Sequence, residues 1–353
     1  MKVNSKVAMY LGAAALMTAS GSASADVDVS FYGLLDVWAG SQETPGADDD
    51  TKQLGAGGMT TSYIGTTATI DLPNETKAIA KLEMFLRPDN AEDGRYGGDE
   101  MFARAASVGF QGKLGTLSAG RVTAPLFLPV VFSNPYGGSF TFSPAILHTY
   151  QGGNNGPYVG DSGWSDSLSY SSPSLGGLSA NLVYSFGEEE GEDSENKVGA
   201  NLVYRNGGFM GTVAGHSIDE GALDSGDSAG FGEGGAIPNA IGQDAYMAGV
   251  SYDFSVVKLF GMYQDLETET QTGDVDIDTV QAGFSIPAGP GSVLGSYAVS
   301  DYSGEIDDER TTWTVGYDWV LNDNVDIYAN FMNDDFDELG DGNTYGVGTR
   351  LKF

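Results

Sequence analysis

Four charged residues recur at even spacing in one short stretch, at Lys77, Lys81, Glu83 and Arg87. Successive side chains of a β-strand point to opposite faces, so these four share one face of a predicted strand. The other face carries only apolar residues: Ala78, Ala80, Leu82, Met84 and Leu86. We predict that the charged face lines a water-filled lumen. A salt-bridged wall position without a selective role is the alternative for each residue.

Residues able to do catalytic or metal chemistry are scarce. The chain has no Cys and only two histidines, His148 and His216, which excludes a histidine cluster or a thiolate site for a metal. Ser217 follows His216 directly, so a strand would place the two on opposite faces and prevent a catalytic pair. Phosphate-binding loops, calcium-binding loops and nucleophile elbows have no match. We therefore expect no enzyme and no cofactor.

Alternating segments of about ten residues recur along the chain. Examples are "LSANLVYSF" at 178–186, "TWTVGYDW" at 312–319 and "VDIYANFM" at 325–332, each with one apolar and one polar face. Short turns alternate with long polar connectors, and counting the strands between them predicts 16. The connectors are predicted near 40–59, 88–100, 124–163, 188–195, 218–242, 267–274, 302–308 and 335–342. This pattern predicts an all-β fold, a transmembrane antiparallel 16-stranded β-barrel. A soluble β-sandwich with the apolar face inward is the alternative.

The amino terminus has the pattern of a signal peptide. Lys2 and Lys6 precede a short apolar run, and Ala23-Ser24-Ala25 offers a cleavage site before Asp26. A membrane anchor is less suitable because the run is short and no stop-transfer pattern follows. We expect residues 1–25 to be removed and residues 26–353 to form one barrel domain, exported to the cell outer membrane.

The formal net charge is -33, with 49 acidic and 16 basic residues. This balance excludes a nucleic-acid partner, which requires a basic footprint. Most acids fall in the long connectors, for example "EEEGEDSE" at 188–195. These acids predict a negative vestibule and a mild preference for cations, although a merely solvated face is the alternative.

Four segments resemble the trimeric general porins of Gram-negative outer membranes. They are "VSFYGLLDVW" at 29–38, "MFARAASVGFQGKLGTLSAGRVTAPLF" at 101–127, "SLSYSSPSLGGLSANLVYSF" at 167–186 and "YGVGTRLKF" at 345–353. The resemblance implies a homotrimer in contact with outer-membrane lipid and lipopolysaccharide, inserted by the outer-membrane assembly machinery. It also implies that the third loop, the connector 124–163, folds into the lumen and narrows it.

The resemblance assigns candidate residues to the constriction. Arg104 matches a family arginine, Arg121 lies where a family "GR" pair ends a strand, and Tyr63 replaces an expected arginine. Alternation alone puts Arg104 on the face of Val108 and Phe110, so its inward direction rests on the resemblance. Residues 124–160 contain no charged side chain except the titratable His148, unlike many relatives. The loop candidates are Asn134, Tyr136, Phe140, Phe142 and His148, although a hydrogen-bonded loop histidine is the commoner case.

The chain ends on an aromatic residue, Phe353, which shares a strand face with other apolar residues. The resemblance implies that such an aromatic is part of the signal read by the assembly machinery. Together these observations predict passive diffusion of small hydrophilic solutes and ions through the barrel. An oligosaccharide-preferring channel with stacking aromatics, or a secreted soluble adhesin, are the alternatives.

Overall fold

Alternating strands close into a barrel in the computed structural model, which describes residues 27–151, 159–187, 196–219, 237 and 240–353. The expected signal peptide lies outside the described residues. The strands are β1 (Val27–Gln42), β2 (Thr51–Ala56), β3 (Tyr63–Leu72), β4 (Thr76–Arg87), β5 (Glu92–Asp93), β6 (Ala105–Gly112), β7 (Gly115–Thr123), β8 (Gly163–Ser171), β9 (Leu178–Ser185), β10 (Lys197–Asn206), β11 (Phe209–Ile218), β12 (Ala240–Asp253), β13 (Lys258–Thr270), β14 (Asp274–Ala288), β15 (Gly291–Gly304), β16 (Asp308–Asn322), β17 (Val325–Phe336) and β18 (Gly340–Lys352).

These strand segments make a wall of sixteen strands. The segments β2 and β3 pair with the two halves of β1 and form one wall strand, which residues 57–62 interrupt. The two-residue β5 pairs only with the end of β4 and lies in a connector. Every other neighbour pair is antiparallel, and β1 pairs with β18 to close the barrel. The predicted fold and strand number are confirmed.

The seam between β1 and β18 extends to the last residue. Gly33 and Phe353 exchange two backbone hydrogen bonds, with N···O distances of 2.9 and 3.1 Å. The rings of Phe31 and Phe353 lie 5.8 Å apart on the outer surface. Phe353 therefore completes the pairing of β1 and contributes an exposed aromatic to the same end of the wall.

The two faces of the wall differ as the alternation predicts. Outward positions such as Val108, Phe110 and Val250 are large, apolar and exposed, whereas inward positions such as Thr314 and Gln281 are buried. Short turns lie at the end of the barrel that carries Phe353. The longest connectors lie at the other end, which in outer-membrane barrels is extracellular.

Three predicted polar connectors, 267–274, 302–308 and 335–342, are mostly strand, with loops of only 271–273, 305–307 and 337–339. The strand residues there, acids among them, extend the wall beyond the apolar band. Glu267 and Glu269 are exposed. Thr268 between them and Leu266 before them are buried and face inward. These carboxylates consequently point away from the lumen, not into a vestibule.

Two short helices lie in the third connector, α1 (Phe127–Phe132) and α2 (Pro144–Tyr150). The Ser143 side chain caps α2 by accepting a hydrogen bond from the Ile146 N–H, and Pro144 has a backbone suited to the first helical position. Neither helix, nor any other in the described residues, has the length and apolar character to cross a membrane.

Deletion of Phe353 should lower the yield of folded barrel, because it removes two backbone hydrogen bonds of about 1 kcal/mol each together with a ring contact. The measurement is the fraction of protein in the outer-membrane fraction that shows heat-modifiable gel migration. Phe353→Trp is the matched control and should keep a yield near that of the unmodified protein. An equal yield from the deletion would contradict this role.

Candidate pore constriction

The described residues of the third loop, 124–151 and 159–162, fill one side of the barrel lumen. Val130 and Ile146 of the loop are fully buried and pack in one cluster with the inward-facing Met247 and Leu266. The inner wall is therefore apolar where the loop packs against it. Positions of a pore wall that face water favour polar residues instead. The open channel is left between the loop and the opposite wall.

Hydrogen bonds fix α2 to three strands. The ring nitrogens of His148 lie 2.6 Å from the Ser300 hydroxyl and 2.7 Å from the Thr312 hydroxyl. The Thr149 hydroxyl donates to the side-chain oxygen of Gln264 at 3.0 Å. Burial lowers the pKa of His148 well below its ordinary value, so the ring stays neutral at physiological pH. His148 thus anchors the loop to the wall.

A second anchor is centred on Asp36, a fully buried carboxylate of β1. It accepts hydrogen bonds from the backbone N–H groups of Met59 and Thr60, at 2.8 and 2.7 Å, and from the Tyr328 hydroxyl at 2.5 Å. Ser62 bonds the backbone of Asp36 on the same side. We call these five residues the Asp36 network; it holds the interruption at 57–62 inside the barrel.

This interruption carries the tip of the third loop. Ser139 donates to the Gly58 carbonyl at 2.6 Å, and Thr141 donates to the Gly57 carbonyl at 3.2 Å. Beside them, the rings of Trp38 and Phe142 meet edge to face at 5.6 Å. The position of the loop tip therefore depends on Asp36, although that carboxylate does not touch the loop.

Two cavities lie along the channel between the loop and the wall. The outer cavity, about 520 Å³, reaches from the long-connector end to Phe140 and is lined by Arg87 and Asp89 among others. The inner cavity, about 460 Å³, lies between α1 and strands β4 to β10, with Lys81 and Arg205 in its lining.

A charged cluster lies at the β4 edge of the channel. The Glu83 carboxylate accepts hydrogen bonds from Tyr32 at 2.6 Å and Arg104 at 2.9 Å, and Lys81 lies 3.0 Å away. The Arg104 guanidinium also covers the Tyr63 ring at 3.9 Å from its centroid. Glu83 is almost completely buried, whereas Lys81 and Arg104 are partly exposed. The cluster therefore carries one net positive charge and presents its bases to water.

A second cluster joins the loop to the connector that follows β4. Asp161 forms ion pairs with both Arg95 and Arg121, and Arg95 also pairs with Asp99 at 2.9 Å. Burial alone would raise the pKa of Asp161, but the two arginines lower it below its ordinary value. Arg121 also donates to the carbonyl of Ala103. These charges compensate each other and brace the end of the third loop.

The remaining sequence candidates lie apart from one another. Asn134, Tyr136 and Phe142 are buried within the packing of the loop, so their side chains do not face the channel. Phe140 is partly exposed to the outer cavity. Lys77 lies 3.5 Å from Asp71 at the short-turn end, and Arg87 lies 2.8 Å from Glu92 at the other end.

Alternation misplaces Arg104 because the strand β6 begins only at Ala105. Arg104 belongs to the preceding turn, where the period of two no longer applies. Sequence reasoning missed Arg205, although its alternation with the outward Tyr204 was readable, and it missed Asp36. A single acid inside the apolar stretch "LLDVW" was the available signal for Asp36.

Asp36→Asn should loosen the third loop. The NH₂ group of the asparagine would face groups whose hydrogen bonds the carboxylate now accepts. Leaving buried donors unsatisfied costs about 1–3 kcal/mol each. We expect a lower melting temperature and noisier open-channel current in planar bilayers. Asp28→Asn, the same change at an exposed position of β1, is the control. Current noise and melting temperature equal to those of that control would rule out the anchoring role.

Comparison with known proteins places this architecture in one family. The family model for Gram-negative porins matches residues 12–339. Outer membrane porin protein 32 of Delftia acidovorans is 28% identical over 343 residues, covering 93% of this chain and 90% of that protein. An outer membrane porin protein of Bordetella pertussis is 26% identical over 410 residues, covering 97% and 99%.

Solved structures agree on the fold. The anion-selective porin from Comamonas acidovorans superposes with a TM-score of 0.76 at 21% identity, covering 93% of this chain and all of that one. A loop-deletion mutant of the outer membrane protein OmpT of Vibrio cholerae gives 0.68 at 14% identity, covering 93% and 99%. With a closed barrel and an inward loop, the chain belongs to the Gram-negative porins, which are channels of the outer membrane and not enzymes.

Proposed function

We propose that the protein is a passive diffusion channel for small hydrophilic solutes with a preference for anions. The observation that carries this is the sign of the charge that lines the inner cavity, because the outer cavity is lined by two bases and two carboxylates. The inner cavity is lined by the bases Lys81 and Arg205 and by no carboxylate among the described residues, and the charge of Arg121 in the same lining is compensated by Asp161. Glu83 lies nearby but is shielded by two bases. Charges that line the cavity act on an ion at short range, before salt screens them.

The cation preference expected from the net charge lacks support from the placement of the acids. Glu267, Glu269 and Asp276 lie on the outer face of the wall, so the wall and the salt outside it separate their charges from solutes in the lumen. The acids at 188–195 lie outside the described residues. A relative of this chain carries the name anion-selective porin, which agrees with the proposed sign.

The alternatives have less support. An oligosaccharide channel is motivated by the aromatic third loop, but Tyr136, Phe142 and Tyr150 are buried and cannot stack on a sugar. Phe140 and Phe132 border the two cavities, so the loop offers fewer stacking surfaces than its composition suggests. A secreted soluble adhesin is wrong for a closed barrel of the porin family.

Association into a homotrimer belongs to the same proposal. The outer face of β3, β4, β6 and β7 has an apolar groove of about 390 Å³. Small residues form its floor and would let another wall approach closely: Ala68, Ala78, Ala80, Gly109 and Ala119. Larger apolar residues complete the lining, among them Ile70, Val108, Phe110 and Leu117. Elsewhere the wall would contact outer-membrane lipid and lipopolysaccharide. Removal of residues 1–25 and insertion by the assembly machinery, with Phe353 as part of the signal, complete the proposal.

Reversal potentials in a potassium chloride gradient test the selectivity. The protein should favour chloride, Arg104→Gln should reduce the chloride-to-potassium permeability ratio by about two- to fourfold, and Glu83→Gln should increase it, because a unit charge near the path contributes by Coulomb's law. Lys113→Gln in the β6–β7 turn is the charge-matched control outside the lumen. A potassium preference in the unmodified protein would refute anion selectivity.

Ala80→Trp should weaken the trimer, because a large ring would fill the groove. Ala248→Trp, at an exposed outward position of β12, is the control on the far side of the barrel. Native gels and chemical cross-linking should show monomer for the first variant and trimer for the second. Equal trimer yields would argue against association through this groove.

A further inference from the structure

We propose that the inner cavity binds aromatic monocarboxylates, of which benzoate is the simplest, in preference to aliphatic carboxylates of similar charge. This inference rests on the proposed anion preference and specifies the class of anion. Its volume of about 460 Å³ falls within the range of about 300–1,000 Å³ typical of small-molecule sites.

The cavity combines two kinds of surface that a simple ion channel does not need together. One side carries the positive charges of Lys81 and Arg205 with hydroxyl and amide groups of β8 and β9. The other side is the apolar face of α1, including Leu128 and Phe132. Leu128 is 43% exposed. Exposing this apolar side chain to water costs free energy that is regained when a solute covers it.

Arg205 is the cation best placed to hold a carboxylate. It points inward from the short-turn end of β10, and its guanidinium lies 4.5 Å from the centroid of the Phe132 ring. Within the described residues it has no carboxylate at ion-pair distance, in contrast to Arg95, Arg104 and Arg121. Its donors can therefore receive a carboxylate while the ring of the ligand packs on α1.

The same pairing of cation and ring recurs along the channel. Arg95 lies 5.1 Å from the Phe85 ring centroid in the outer half, Arg104 lies 3.9 Å from that of Tyr63 at the charged cluster, and Lys258 lies 4.9 Å from that of Phe260 near the short-turn end. Phe132 also borders a third cavity, which Lys258 lines as well. Carboxylates of the protein already occupy Arg95 and Arg104, so the pairs open to a solute carboxylate are Arg205 with Phe132 and Lys258 with Phe260. These two pairs border cavities that share Phe132, which gives a solute with one carboxylate and one ring two neighbouring positions.

Block of chloride current in planar bilayers tests the proposal. Benzoate, cyclohexanecarboxylate and acetate are each titrated into potassium chloride at constant ionic strength, and the half-blocking concentrations are compared. We expect benzoate to block at a concentration about threefold or more below that of either aliphatic acid, as one ring contact provides. Equal half-block by benzoate and acetate overturns the proposal, and equal half-block by benzoate and cyclohexanecarboxylate overturns its aromatic part.

Two variants locate the site, each checked for folding by heat-modifiable migration. Arg205→Gln should weaken block by all three acids, whereas Phe132→Leu should weaken block by benzoate alone. Lys113→Gln, which removes one exposed charge outside the lumen, should change none of them. Unchanged benzoate block in Arg205→Gln would place binding elsewhere.

The reversal potential in potassium chloride is recorded on the same membranes. A chloride preference without selective benzoate block defeats only this inference. A potassium preference defeats the proposed function itself.

Discussion

The packing of the third loop against an apolar half of the inner wall is the interaction on which the rest of the structure depends. A barrel of sixteen strands would otherwise enclose a wide aqueous lumen. Met247 and Leu266 are apolar and face inward. They are stable there because Val130 and Ile146 cover them and exclude water. The loop thereby converts a symmetric wall into two unlike halves, one filled with protein and one left to solute.

That division also separates the charges. Acids such as Glu267 and Asp276 lie on the outer face, whereas buried acids such as Glu83 are paired with bases. The inner cavity beside α1 is lined by bases and by no carboxylate among the described residues. The net charge therefore governs how the molecule interacts with its surroundings, whereas the local charge in the lumen governs which ions pass through. The two can have opposite signs in one protein, because water and salt screen charges on the outside of the wall from the lumen.

The sequence predicts the wall better than it predicts the lumen. A period of two places Lys81 and Glu83 together on the inward face, because the alternation along the whole strand fits only one register. The interruption at 57–62 has no such local signal, because it is stabilised by Asp36 and Tyr328 from distant strands. The stretch around Glu267 looks like a loop because acids are rare in strands; beyond the apolar band, however, an outward carboxylate meets water. Burial of Tyr136 and Phe142 likewise depends on where the loop lies, which composition cannot specify.

The seam between β1 and β18 sets an order of events in biosynthesis. Leu34 pairs with Lys352, so nearly the whole chain lies between the two partners, and loop closure over that distance is slow. The edge of β1 stays unpaired, and open to pairing with a foreign strand, until β18 has been made. A wall whose first and last strands pair can therefore close only after every other strand is present, and the seam is the last place at which an edge remains open.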